Sequence, residues 1–235
     1  QVLFDVSVAV HAGECLAVIG GSGSGKSTLT RILLGLETAD AGTVTYQGAD
    51  VTCGSRAAGY QALRRDSGLV YQDPFASLNP RWTVARSVGE PLHLRHRGMG
   101  SDDVARRCAE ALDTVGLEPS TFLNGYPVDL SGGQAQRVAI ARAIVNNPKV
   151  LLADEPMSAI DVAARVQILE AFAAIRRRTP DMALIVVSHD LGVVQHLADR
   201  IVVLHDGRVE EEGPTARILR EPRNAYTRTL IEAAS

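Results

Sequence analysis

One stretch restricts the possible folds more than any other: Gly20-Gly21-Ser22-Gly23-Ser24-Gly25-Lys26-Ser27, with Thr28 next in line. It has the form G-x-x-x-x-G-K-[ST], and its flanks supply the context that this form requires. Ahead of it, Cys15-Leu16-Ala17-Val18-Ile19 is a continuous apolar run, the pattern of a strand buried on both faces of a parallel sheet. Behind it, Leu29, Ile32, Leu33 and Leu36 recur at i, i+3, i+4 and i+7, which predicts a helix with one apolar stripe. Glycines let successive backbone N–H groups converge on an anion, and a helix start adds its partial positive charge. In such a loop Lys26 places a point charge on the β and γ phosphates of a nucleotide, and the Ser27 hydroxyl can ligate Mg²⁺. A kinase, a GTPase or a recombinase-like ATPase would share these features.

A second element narrows the choice. Val150-Leu151-Leu152-Ala153 is a buried-strand pattern that ends in two carboxylates, Asp154 and Glu155. Asp154 suits a metal, directly or through its water. Glu155 leaves the strand end on the opposite side and suits the polarisation of an attacking water.

The remaining pattern predicts an α/β fold around a parallel sheet. Val2, Phe4, Val6, Val8 and Val10 alternate as in a strand with one buried face, and Thr43–Gln47 reads as a short strand before Gly48. Val104, Cys108, Leu112 and Val115 mark a helix from Ser101 that stops at Gly116. Val162, Val166, Leu169 and Ala173 mark another, which ends in Arg176, Arg177 and Arg178, cations that complement a helix C-terminus. Leu184–Ser188 reads as a buried strand, and Ile201–Leu204, Asp206-Gly207 and Arg208–Glu210 as a hairpin.

Composition excludes several classes of function. The 235 residues carry 24 Lys and Arg against 27 Asp and Glu, so no excess of cations is available to track nucleic-acid phosphates, and no nucleic acid is expected as partner. Apolar runs stay far below the roughly 18 residues of a membrane span. Cys15, Cys53 and Cys108 are odd in number and widely spaced, which argues against a disulfide scaffold or zinc site and for a reducing cytosol. Cys15 is expected in the core. The chain opens in a strand-like pattern without a Met or a secretory signal, so a piece cut from a longer protein is expected.

The stretch Leu130-Ser131-Gly132-Gly133-Gln134, followed by Ala135-Gln136-Arg137, resembles the signature motif of ATP-binding cassette (ABC) ATPases. Taken alone, Ser131 is a good N-cap and the two glycines free the backbone, which a well-capped structural helix would also show. Tyr71-Gln72-Asp73-Pro74 resembles the family's Q-loop, Ser158-Ala159-Ile160-Asp161 its D-loop (with Ile where Leu is usual), and Leu184–Asp190 its switch-histidine strand. The resemblance implies a P-loop NTPase with a RecA-like parallel core, an antiparallel β part and an inserted helical subdomain. A single nucleotide-binding domain is expected, with a core over about 1–72 and 149–213, a helical subdomain over about 73–148 and a tail over 214–235. It further implies that Gln72 reaches the metal and the water, and that His189 holds the γ-phosphate and Glu155. By the same resemblance Ser131, Gly132, Gly133, Gln134 and Asp161 serve a nucleotide shared with a second such domain. His11, His93, His96, His196 and His205 have no such context and are expected on the surface or in turns.

Finer marks point within the family. Gln72–Arg81, Glu90-Pro91-Leu92 and Glu221–Thr227 resemble the cassettes of bacterial oligopeptide, dipeptide and nickel importers. That likeness implies ATP and Mg²⁺ as cofactors, membrane permease subunits as partners, a solute-binding protein acting indirectly, and a place on the cytoplasmic face of a prokaryotic membrane. An exporter, an importer of another cargo or a non-transport ABC ATPase stay open as alternatives. The family's adenine-stacking aromatic lies ahead of the first strand, before residue 1.

Overall fold

The computed structural model describes residues 2–158 and 160–233. Its strands, in chain order, are β1 (Cys15–Ile19), β2 (Thr45–Tyr46), β3 (Ala49–Asp50), β4 (Ser67–Val70), β5 (Val150–Asp154), β6 (Ala183–Val187), β7 (Arg200–His205) and β8 (Arg208–Pro214). The helices of the first half are α1 (Lys26–Leu33), α2 (Tyr60–Asp66), α3 (Pro74–Ser77), α4 (Val84–Arg95) and α5 (Ser101–Thr114). Those of the second are α6 (Pro119–Phe122), α7 (Gly132–Ile144), α8 (Val162–Arg178), α9 (Leu191–Leu197), α10 (Thr215–Arg220) and α11 (Ala225–Ala233). The chain divides into two units, 1–67 with 183–235, and 68–182.

In the first unit β1 lies between β6 and β7, parallel to both, with Leu16 opposite Ile185 and Ala17 opposite Ile201. All five residues of β1 and of β6 are buried, the continuous apolar type expected of central parallel strands. β8 adds to β7 antiparallel through the Asp206-Gly207 turn, where φ of 44° and 72° at the two central residues defines the primed turn that matches strand twist. Ala17, Ile19, Ile201, Val203, Val194 and Ile218 form one face's core, and Leu219, Tyr226 and Leu230 of the last two helices pack against it.

The second unit is mainly helical around the neighbouring strands β4 and β5. α7 is its axis: Val138, Ile140 and Ala141 are fully buried, alongside Val84, Val88 and Leu92 of α4 and Leu112 of α5. No helix among the described residues is long and apolar enough to cross a membrane.

The structure differs from the sequence expectations in several places. Residues 4–10 alternate in exposure as predicted, while Val2 is exposed; the segment joins no ladder, with Phe4 N–H donating to Gly207 O at 2.8 Å and Ala9 O accepting from the Arg200 guanidinium. The Thr43–Gln47 strand shrinks to β2, half of a two-residue hairpin. α1 stops before Leu36, which is exposed. On α8 the buried face is Ile168, Ala171, Phe172 and Ile175, while Val162 is 78% and Val166 51% exposed. Singly exposed apolar residues are ordinary on a folded surface, so the spacing of these valines alone did not identify the buried stripe. Cys15 is buried as expected, and all three cysteines are free thiols.

Candidate active site

The phosphate loop leaves β1 at Gly20. A Cβ there would lie 2.1 Å from the Leu204 carbonyl oxygen, so β7 runs too close beneath the loop for any side chain. The hairpin turn supports the same loop, Gly207 N–H donating to Ser24 O at 3.1 Å. Lys26 is the first residue of α1 and is buried; its Nζ donates to Gly20 O and Gly21 O, each at 2.8 Å, and to Ser24 Oγ at 3.5 Å. An ammonium is thus pinned inside the loop. Gly25, the N-cap of α1, offers no side-chain cap, and no acidic residue stands in the first turn, so the positive end of the helix is left to an outside anion. Ser22, Gly23 and Ser27 are exposed and Thr28 half-buried. Gly21 N–H donates to Tyr226 Oη at 2.9 Å, a contact nothing in the loop's own sequence suggests.

In the same unit His189 stands, exposed, one residue beyond the buried Ser188 that follows β6. Asp190 N–H donates to Ser188 Oγ at 3.0 Å, and Asp190 Oδ1 accepts from Val193 N–H at 3.3 Å as the N-cap of α9. The histidine is therefore held between a strand end and a helix cap. His11, His93, His96 and His196 are exposed as expected. His205, partly exposed beside the Asp206-Gly207 turn, also stacks on Tyr226 with ring centroids 3.7 Å apart.

The second unit brings Gln72 and Glu155 together. β5 ends at Asp154, and Glu155 follows in the left-handed region at φ 43°, a conformation that costs an L-residue about 1–2 kcal/mol. Gln72 Nε2 donates to Glu155 Oε2 and to Ser158 Oγ, both at 3.2 Å. The amide nitrogen thus faces the carboxylate, which orients the amide oxygen as the atom free to meet a cation or water. α7 fixes the Gln72 segment at two points: the buried Gln136 donates to Tyr71 O at 3.4 Å, and Arg142 to Ser77 O at 2.5 Å. Sequence reasoning assigned no role to Gln136, Arg142 or the Ser158 hydroxyl, because these partners become neighbours only through the fold.

Ser131 caps α7 with both halves of a capping box: its Oγ accepts from Gln134 N–H at 3.3 Å and its N–H donates to Gln134 Oε1 at 2.9 Å. Ser131 is exposed, so this helix start is presented to solvent. Gly132 follows, half-buried, and a Cβ at Gly133 would lie 2.5 Å from the Ala164 Cβ, which lets α7 and α8 approach closely. The buried Arg137 donates to Gly116 O at 2.9 Å, and burial pushes its pKa down against the opposing charge of Glu170. Asp161 caps α8, accepting from Ala164 N–H at 2.9 Å; Ala159 of the same motif lies outside the described residues.

The oxygens expected to ligate a metal are, one by one, of the kind that a small hard cation takes. Ser27 hydroxyl, Asp154 carboxylate and Gln72 amide oxygen are hard ligands, and no group of three His, Cys, Asp or Glu among the described residues forms a ready cage. Mg²⁺ is ordinarily held this way, by one or two carboxylates with phosphates and water completing the shell.

A family model described as ABC transporter matches residues 3–158. The oligopeptide transport ATP-binding protein OppF of Lactococcus lactis subsp. lactis (strain IL1403) is 40% identical over 228 residues, 97% of this chain and 70% of that protein. The glutathione import ATP-binding protein GsiA of Salmonella choleraesuis (strain SC-B67) is 42% identical over 97% of this chain, which spans only 36% of GsiA. Among solved structures, the dimeric post-hydrolysis state of the ATP-binding cassette MJ0796 bound to ADP and Pi superposes with a TM-score of 0.79 at 35% identity, covering 91% of this chain and 90% of that one. With an α/β fold, an anion-ready loop around a buried lysine and a carboxylate held by an amide, these likenesses converge: the chain is an ATP-binding and ATP-hydrolysing member of the ABC transporter family.

Proposed function

We propose that this cassette drives the uptake of oligopeptides or similar small peptides through a membrane permease, working as one of a pair of cassettes on the cytoplasmic side. The names of the OppF and GsiA relatives support the cargo, as do the resemblances at Gln72–Arg81 and Glu221–Thr227. The paired arrangement is supported by the dimeric MJ0796 neighbour and by the exposed, capped helix start at Ser131.

The observation that carries the mechanism is the Gln72–Glu155–Ser158 cluster, in which an amide aligns a carboxylate on a strained backbone. Glu155 accepts a proton from water as it attacks the γ-phosphorus, and Gln72 keeps that carboxylate aimed. Lys26, aimed by the carbonyls of Gly20 and Gly21, offsets charge on the transferred phosphoryl group, the loop amides from Ser22 to Thr28 hold the remaining phosphates, and His189 adds a hydrogen bond to the γ-phosphate. Ser131, Gly132, Gly133 and Gln134, with Asp161, serve the nucleotide of the partner cassette. Mg²⁺, bound through Ser27, Asp154 and Gln72, would neutralise phosphate charge. An exporter would share every one of these residues; the relatives favour import.

The experiment is Glu155→Gln. Hydrolysis should fall by roughly 10²–10⁴-fold, the usual weight of one general base, while ATP binding persists. Cells that carry this variant as their sole copy should lose uptake of labelled oligopeptides. Retained turnover removes Glu155 from its role; lost nickel uptake with intact peptide uptake reassigns the cargo.

A further inference from the structure

The Gly20–Gly21 peptide plane is held at both of its polar edges. Its carbonyl, Gly20 O, accepts from Lys26 Nζ, and its N–H, that of Gly21, donates to the hydroxyl of Tyr226, which lies 205 positions later in sequence. The tyrosine is itself well fixed. Its ring stacks on His205 at an interplanar angle of 19°, and its own N–H donates to Asn224 Oδ1 at 2.7 Å. Asn224 is bound to β8 through Glu210 Oε2 at 2.8 Å. The Glu211 carboxylate accepts from the N–H groups of Arg223 and Asn224, at 3.1 and 3.0 Å. The start of α11 is thereby fastened to β8, and the hydroxyl at its first turn is fastened to the phosphate loop. Gly21 admits this approach because it has no side chain; a Cβ there would come within 3.1 Å of the hydroxyl.

We propose that Tyr226 is a positioning residue for nucleotide binding: through its hydroxyl, helix α11 fixes the Gly20–Gly21 peptide and so keeps Lys26 poised for the phosphates. The inference rests on the phosphate-loop assignment above. A loop this rich in glycine loses much conformational freedom when it closes on an anion. A peptide plane fixed beforehand reduces that loss, and affinity rises accordingly. Without the hydroxyl the Gly21 N–H lacks its partner, the plane can turn, and the Gly20 carbonyl, which shares that plane and aims Lys26, turns with it.

Tyr226→Phe tests this, since it removes one oxygen and keeps both the ring stack and the packing. In the purified full chain, Kd for ATP without turnover and KM should both rise about threefold to tenfold, the weight of one hydrogen bond. kcat at saturating ATP should stay within about twofold, and the thermal midpoint should hold, because chemistry and core are untouched. Without nucleotide, the Gly21 amide should exchange its hydrogen faster than in the wild type. Glu211→Gln, which loosens the anchor of α11 without touching the loop, should raise Kd in the same direction, and the double variant should bind no more weakly than Tyr226→Phe alone. Wild-type affinity in Tyr226→Phe overturns the role of the tyrosine and leaves the phosphate loop standing. Wild-type affinity in Lys26→Ala overturns the loop assignment and the inference with it.

Discussion

Glu155 combines two properties that conflict: it is the carboxylate best placed to activate water, and its backbone is in a conformation that suits glycine. Strain of this kind survives where function selects the side chain. Glu155→Gly should therefore stabilise the fold by roughly 0.5–1 kcal/mol, net of the entropy glycine adds to the unfolded chain, while abolishing hydrolysis. Thermal melts and a phosphate-release assay on one sample check both halves; a Glu155→Gly protein less stable than wild type would show that the side chain's contacts outweigh the backbone strain. At this scale the sequence was informative for residues whose partners are close along the chain. Lys26 reaches carbonyls five and six residues away, and Ser131 and Gln134 cap each other across three. Tyr226 and Gln136 act over separations of 205 and 65 positions, which no local pattern encodes.

Among the elements, β8 and α11 depend on one carboxylate. Burial alone would raise the Glu211 pKa, but the Asn224 N–H, the Arg217 guanidinium and the Arg223 N–H outweigh it and hold the group down at about 2. The ordinary value of 4.5 lies above this, so the ionised carboxylate contributes stability that is present above pH 4.5 and lost as pH falls towards 2. Glu211→Gln should destabilise the protein by about 1–3 kcal/mol near neutrality. The gap to wild type should narrow through that acid window, as urea titrations at several pH values would report; a gap independent of pH would assign the loss to packing. Element types were largely legible: β1, β6 and the Asp206-Gly207 hairpin follow from apolar runs and turn chemistry. Faces were less so. The buried side of α8 is set by what packs against it, and Phe172 and Ile168 won over the evenly spaced Val162 and Val166.

For the whole molecule, pairing of cassettes has a direct consequence in solution. Glu155→Gln should remain monomeric alone and become dimeric with ATP and Mg²⁺, read by sedimentation velocity, because bound nucleotide that cannot be cleaved keeps the two surfaces joined. A sedimentation coefficient unmoved by nucleotide would show that this chain does not pair with itself and that its mate is another cassette. The order of contacts also bears on how the protein is made. The phosphate loop is complete at residue 28, yet the strand ahead of it is flanked by residues 184–187 and 200–203, Ser24 is supported by Gly207, and Gly21 by Tyr226. A ribosome therefore finishes the loop's sequence well over a hundred residues before it has made the strands and the tyrosine that brace it. A polypeptide that stops short of residue 184 therefore carries the whole glycine-rich motif without either of the strands that flank β1.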